Sequence, residues 1–451
     1  MTAKFHVTIW RGLALGVLAL GIFLAVPVLS AASKAEGKPV TFAKDIAPIF
    51  QEKCEECHRK GTAAPMSLAT YQESRPWAKA IKERVVTRNM PPWHLDKTVG
   101  IQHFQNDRSL TDQQIATIVS WVDSGAPLGD PKDLPPAKQW PLDEQWQLAK
   151  VYGQPDLVIK SEPYTMPSHG QDVWWKPSTA VGVTEPRWVR AVEMRPGTPA
   201  GRKIVHHALA RLEQEEAGGV DEDPLAGPGL LMEWAIGKQF DVYRANSGKL
   251  LLPGSQIRWD IHMHAVGEDI RDHVELAVYL YPKGEVPKYR TRLTLFGSTV
   301  GSIDIPPNSM YQTQAFHVLR EPARLENFQP HMHLRGKAMS MEAILPNGMT
   351  RMLSYVDHFN FNWMNNYIYT EEDAPVLPKG TIIRVTSWYD NTTANRNNPD
   401  PNQWVGYGDR TVDEMGHAWV NVTNISEEDY KEWLSKHRSS MPSLADRRRQ
   451  Q

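Results

Sequence analysis

Both cysteines of this chain fall in one five-residue stretch, CEECH, as Cys54 and Cys57 with His58 beside them. Two thiols at this spacing can bond the vinyl groups of a porphyrin while the adjacent histidine reaches the iron from the same turn, which is the attachment pattern of a c-type haem. One covalent haem c accounts for every thiol in the sequence and leaves none for a structural disulfide. The sixth iron ligand must come from downstream, where Met66, Met90, His94 and His103 are the candidates. Met90 is favoured, because Pro91 and Pro92 exclude helix and stiffen the loop that presents its thioether. Met66, in APMSL, reads as a core methionine under the haem edge. His–Met ligation raises the haem potential, which suits an electron donor or relay better than an oxygen-binding haem.

A second set of chemistry-bearing residues lies further along. Seven of the 16 histidines occur in VHHAL (His206, His207), IHMHAVGED (His262, His264), PHMHLRGK (His331, His333) and DEMGHAWV (Met415, His417). On a strand, positions i and i+2 share a face, so His331 and His333 project the same way. Alone, such a pair is more often a solvated strand surface than a metal site. Together, imidazoles plus a thioether are the ligand types that suit copper cycling between two oxidation states. His206 and His207 pose a geometric condition. Neighbours in a regular strand point apart, so both can hold one metal only at a strand end or where the backbone is distorted.

The elements that must position these residues are legible in outline. The chain has 451 residues, and about 150 residues per domain suggests roughly three domain-sized units. Apolar residues at 41% and charged residues at 23% are ordinary for a globular protein, and a net charge of −2 gives no electrostatic case for nucleic acid or an anionic membrane. Lys4 and Arg11, the apolar run from Gly12 to Val26 and the small residues ending at Ala32 predict a secretory signal over 1–32, hence a periplasmic or secreted protein with no membrane span after cleavage. The alternative is an uncleaved anchor. Residues 38–130 carry helical signals. Phe42, Ile46, Ile49 and Phe50 share a face; Thr111 and Gln114 form a capping box ahead of Ile115, Ile118, Val119 and Val122. Residues 131–150 read as a proline-rich linker. From 151 to 440, short β-rich runs such as 273–282, 339–348 and 380–391 are split by turn residues, as in sandwiches or jelly rolls. Their length predicts two in tandem, 151–290 and 291–440, with a boundary near Thr291.

The run from CEECH through MPP to the WVDSGA helix resembles the small cytochrome c-like domains fused to bacterial enzymes, over about residues 40–130. From about 150 to 425 the order of motifs resembles the copper type II, ascorbate-dependent monooxygenases, the peptidylglycine α-hydroxylating and dopamine β-monooxygenase family. The resemblance implies a multidomain protein: a small all-α cytochrome c-like domain, then two tandem all-β jelly-roll sandwiches, each with one copper, facing across a solvent-filled cleft. It implies that His206, His207 and His262 (or His264) hold one copper, which relays the second electron. His331, His333 and Met415 then hold the other, where O2 is activated beside the substrate. The peptide-amidating members carry a substrate-binding arginine two residues before the His-x-His pair, and an Asn and a Tyr after the Met. Gln329, His417 and Trp419 stand at those positions here, which argues against a peptide carboxylate.

The sequence thus leads to the expectation of an O2-using monooxygenase with two copper ions and one haem c. A small-molecule substrate would be hydroxylated with electrons from a periplasmic donor, a small reductant or a redox protein. The competing expectation is a periplasmic electron-transfer cytochrome whose β scaffold binds copper without catalysis.

Overall fold

The computed structural model describes residues 39–437 apart from 61, 63, 141–144, 216–228, 236–237, 239 and 299–300. The expected signal peptide and the charged tail lie outside the described residues. Near the start, the apolar spacing over 42–50 winds into a π-helical turn, Phe42–Ile46, that runs into the helix Ala47–Lys53 and buries Phe42, Ile46, Ile49 and Phe50. The capping box of Thr111 and Gln114 starts the helix Asp112–Asp123, and Trp121 packs between Phe42 and Phe50.

An all-α haem domain standing ahead of a β body is nevertheless not what forms. From Val40 onward the chain is one compact unit, mostly β-sheet with a few short helices. Residues 92–106 are stitched into the β body. The N–H groups of Asp96 and Ile101 donate to Tyr355 and Leu353, Gln105 N–H donates to the Ile368 carbonyl, and Leu95 and Phe104 bridge to Val356 and Tyr369. Trp93, Leu95, Ile101 and Phe104 share one core with Phe328, Tyr367 and Tyr369. The reason is that the helices are too short to bury these four side chains, whereas the neighbouring sheets can. The β-rich character expected from 151 onward agrees with the structure, with strands Val274–Leu280, Gly336–Ile344 and Ile382–Asp390 at the three runs. Among the described residues, no helix is long and apolar enough to cross a membrane.

Seven strands form the sheet that holds the histidines: β1 (Val173–Trp175), β2 (Val205–Glu213), β3 (Leu230–Ala235), β4 (Gln256–Met263), β5 (Tyr289–Gly297), β6 (Asn327–Met332) and β7 (Gly416–Asn424). They pair antiparallel in the continuous path β1–β4–β2–β3–β5–β7–β6. The β3–β5 step holds by a single registered pair, Leu230 with Leu293. Around it Leu209 of β2 and Trp419 of β7 meet in one small apolar cluster. Because the path turns at this step, β2 and β6 come face to face although four other strand pairings separate them. Residue 291, near the expected boundary, lies inside β5, which pairs with both β3 and β7. A four-stranded sheet, with Met310–Val318 at one edge and Thr350–Val356 at the other, covers β5, β6 and β7 through a core that includes Phe296, Met339, Met341, Ile383, Val385, Ala418 and Val420.

Candidate metal centre

The condition posed by His206 and His207 is met by the backbone. In the β2–β4 ladder His262 pairs with His207, yet the next residue, Met263, pairs with Val205. His206 is the extra residue of a β-bulge, at the start of a strand that follows directly on the helical turn Gly201–Ile204. A bulge re-aims one side chain, so adjacent imidazoles converge instead of pointing apart. The rings of His206, His207 and His262 lie 4.9–5.6 Å apart between centroids, and one nitrogen from each falls within 4.8 Å of the others. His262 Nε2 bonds Asp172 Oδ2 at 2.8 Å, which leaves its buried Nδ1 without a partner; His206 Nδ1 is likewise buried and unpartnered. The indole of Trp174 stacks on His262 at 4.1 Å. His264, the alternative third ligand, has its ring 6.3 Å from that of His206.

On the facing strands, His331 of β6 is the register partner of His417 of β7, and their rings stack at 4.8 Å. His333 follows two residues on, its ring 5.4 Å from His331. His333 Nδ1 is 3.1 Å from the Asp413 carbonyl, and its N–H donates to Glu414 Oε2 at 2.9 Å. Glu414 is fully buried and also accepts from the Arg335 N–H; burial pushes its carboxyl up to about 8. Met415, next in sequence, is half-buried, and its carbonyl accepts from the Tyr389 hydroxyl at 3.2 Å. His417 is buried with both ring nitrogens unpartnered. Gln329 does not face a substrate space: it is buried and bonds Glu233 Oε2 and Lys238 Nζ across the turn of the sheet.

The two sets are in contact. His207 and His331 rings stand 6.1 Å apart, and Phe361 stacks on His206 at 4.9 Å while meeting His333 edge-on at 6.0 Å. His207, His331 and Phe361 thus join the two sets ring to ring. Asp172, Trp174 and Phe361 carry no spacing signal in the sequence; only the fold reveals them. The donor set fits copper: convergent imidazoles, buried nitrogens lacking partners, and a carboxylate that orients His262 from behind.

Burial, reinforced by neighbouring imidazoles, pushes His206 and His333 down to about 4, His417 to about 3, and His207 and His331 well below the ordinary 6.5. In the metal-free protein these rings stay neutral where the unfolded chain takes up protons. Stability is therefore expected to fall as pH drops from 6.5 towards 4, by up to about 1.4 kcal/mol per pH unit for each such ring. Urea unfolding of metal-free protein at about pH 7 and about pH 5 measures this, and an unchanged midpoint would contradict it.

The CEECH motif follows the helix Ala47–Lys53. Cys54 and Cys57 form no disulfide, and burial pushes the Cys54 thiol up to about 12. His58 Nδ1 is 3.2 Å from the Met66 carbonyl, which leaves Nε2 for iron. Met66 thus serves His58 through its backbone, and its side chain packs on the core that holds Cys54. Met90 lines a cavity with Val85, Trp93, Leu110 and Ile115. Trp93 Nε1 is buried without a partner. His103 is exposed and pairs with Asp373 at 2.9 Å, and His94 lies against Tyr367, donating its N–H to that hydroxyl. Cys54, Cys57 and His58 would attach a covalent haem, with Met90 as its candidate sixth ligand.

No protein-family model and no curated protein matches this chain. Among solved structures it is similar to that of PNGF-II, at 9% identity and a TM-score of 0.26, over 60% of this chain and 65% of that one. It is also similar to the structure of infectious bursal disease virus Gt strain, at 11% identity and a TM-score of 0.17, over 59% of this chain and 72% of that one. A Paenibacillus xanthan lyase matches at 8% identity and a TM-score of 0.15, over 58% of this chain and 25% of that one. Similarity this slight carries no argument about fold or function, so the site's own chemistry must supply it.

Proposed function

We propose that this protein is a haem- and copper-dependent oxidoreductase: an exported monooxygenase that uses O2 to hydroxylate a small substrate with electrons relayed through its c-type haem. The observation that carries the proposal is the convergence of two histidine sets, drawn from strands far apart in sequence, in one chain whose only cysteines are in a haem-attachment motif. His206, His207 and His262 would hold one copper; His331, His333 and Met415 would hold the other. Bound copper supplies one-electron redox chemistry and a site for O2. Asp172 fixes the tautomer of His262 by accepting from Nε2, so that Nδ1 faces outward as a ligand. The Asp413 carbonyl does the same for His333 in the opposite sense, accepting from Nδ1 and leaving Nε2. Trp174 and Phe361 cover the imidazoles and keep water off them. With Gln329 bonded to Glu233 and Lys238, the chemistry at that position favours a substrate without a carboxylate.

Metal analysis of the full chain should return about two coppers and one iron. With the haem reduced under anaerobic conditions, admission of O2 and candidate substrates should oxidise the haem and yield hydroxylated product only when copper is present. Haem oxidation that never couples to product, and is indifferent to copper removal, would overturn the reading. One observation favours a second reading, a copper-binding electron-transfer protein: the 6.1 Å approach of His207 to His331 leaves little room between the sets. Met415→Ala separates the two. It should abolish turnover with the haem spectrum intact if the protein is an oxygenase, and leave electron transfer unaltered if it is a carrier.

A further inference from the structure

A continuous line of buried aromatic rings links the segment after the favoured haem ligand to the strand that carries His331. Trp93 lines the same cavity as Met90, three residues away. Its ring meets Tyr367 edge-on, with centroids 4.7 Å apart. Tyr367 stacks on Phe328 at 6.3 Å and an interplanar angle of 23°. Phe328 lies on β6, with its side chain in the core on one face and His331, three residues on, facing the metal centre on the other. All three rings are nearly fully buried.

Hydrogen bonds tie the Trp93 segment to the Tyr367 segment. Asn365 Nδ2 donates to the Pro92 carbonyl at 2.9 Å, and His94 N–H donates to the Tyr367 hydroxyl at 3.2 Å. Asn106 Nδ2 donates to the Asn366 carbonyl, and Ile368 N–H returns a bond to Asn106 Oδ1. Lys53, immediately before the CEECH motif, donates to the Asp107 carbonyl at 3.2 Å. Burial raises both the Cys57 thiol and the Tyr367 hydroxyl, the latter to about 12, and the Arg108 guanidinium opposes the rise in each. One side chain is therefore in electrostatic reach of both the attachment motif and the phenol. Tyr367 is thus a neutral phenol near pH 7, its hydroxyl accepting from the His94 N–H.

We infer that Trp93, Tyr367 and Phe328 form the route by which electrons pass from the haem to the copper held at His331 and His333. The inference rests on the functional reading above and reverses the order that the family resemblance implies, where the three-histidine copper is the relay. In the step, ferrous haem becomes ferric as Cu(II) at the His331 site becomes Cu(I). One electron moves, and no bond is made or broken. Contact between His331 and His207 then offers a short onward path to the second set.

The test is flash photoreduction of the haem in the full chain loaded with Cu(II), without O2 or substrate, following ferrous haem by its absorbance. In the wild type, ferrous haem should reoxidise when copper is bound and persist when copper is removed. Trp93→Leu and Tyr367→Leu keep most of the buried volume but remove the ring. Each should slow reoxidation by on the order of tenfold, while Tyr367→Phe, which keeps the ring, should stay near the wild-type rate. Haem spectrum and copper content are compared in every variant, so a rate change at constant cofactor content reports the route and not the fold. Leucine variants that reoxidise at the wild-type rate, or a Tyr367→Phe variant as slow as Tyr367→Leu, would overturn the route alone. A wild-type protein whose ferrous haem ignores copper would overturn the functional reading with it.

Discussion

His262→Ala should remove copper from the β2–β4 set, whereas Asp172→Ala should only weaken it. His262 is buried, stacked on Trp174, and placed by the ladder directly opposite His207. Its loss takes one of three convergent nitrogens and leaves a pair that cannot complete the site. Asp172 contributes no ligand atom. It accepts the bond from Nε2, so its removal frees the ring to turn and to change tautomer, at a cost of about 10–100-fold in copper affinity. Competitive Cu(I) titration of the full chain measures both. His206→Ala belongs with His262→Ala, because the bulge aims its ring at the same point. Equal affinities for His262→Ala and the wild type would mean that the cluster is a packed histidine core and not a metal site. Equal losses for Asp172→Ala and His262→Ala would instead make Asp172 a ligand in its own right.

What the sequence discloses here depends on whether a feature is local. The i, i+2 pairing of His331 and His333 and the capping box at Thr111 are local, and each forms in the structure as its spacing implies. The geometric condition on His206 and His207 is also legible, but the bulge that meets it depends on the register of β4, 50 or so residues away, and no local pattern encodes that. Length alone suggests a boundary near Thr291, but it cannot show that β5 pairs with β3 through one residue and with β7 along its length. That asymmetry turns the sheet and brings His207 against His331. The largest departure concerns residues 92–106. Read alone, PPWHLDKTVGIQHF is a loop with no apolar period, so Trp93 and Phe104 give no sign of their destination. They are buried by strands more than 240 residues later, and an all-α domain is lost as a separate body because of it.

That embedding has its own expected result. Trp93→Ala should destabilise the whole protein by about 3–5 kcal/mol, the range for truncating a well-packed tryptophan. Trp93 meets Phe104 and Tyr367 edge-on, at 5.8 and 4.7 Å, in a core that also contains Phe328 of β6, Ala418 of β7, and Met341 and Val385 of the four-stranded sheet. Trp77→Ala provides the comparison: Trp77 is 44% exposed, on a short helical turn of the same segment, and its loss should stay within about 0.5 kcal/mol. The partition between transitions is as informative as the size. If the haem segment folded as a separate module, Trp93→Ala would lower only a minor early transition and leave the β body untouched. Since its indole fills the β core, the main denaturant midpoint, followed by β-sheet circular dichroism, should move together with the haem absorbance. Two transitions that separate in the variant, with the β-sheet signal at its wild-type midpoint, would show that the segment is docked rather than built in. The electron route through Trp93 would then depend on a contact that opens and closes.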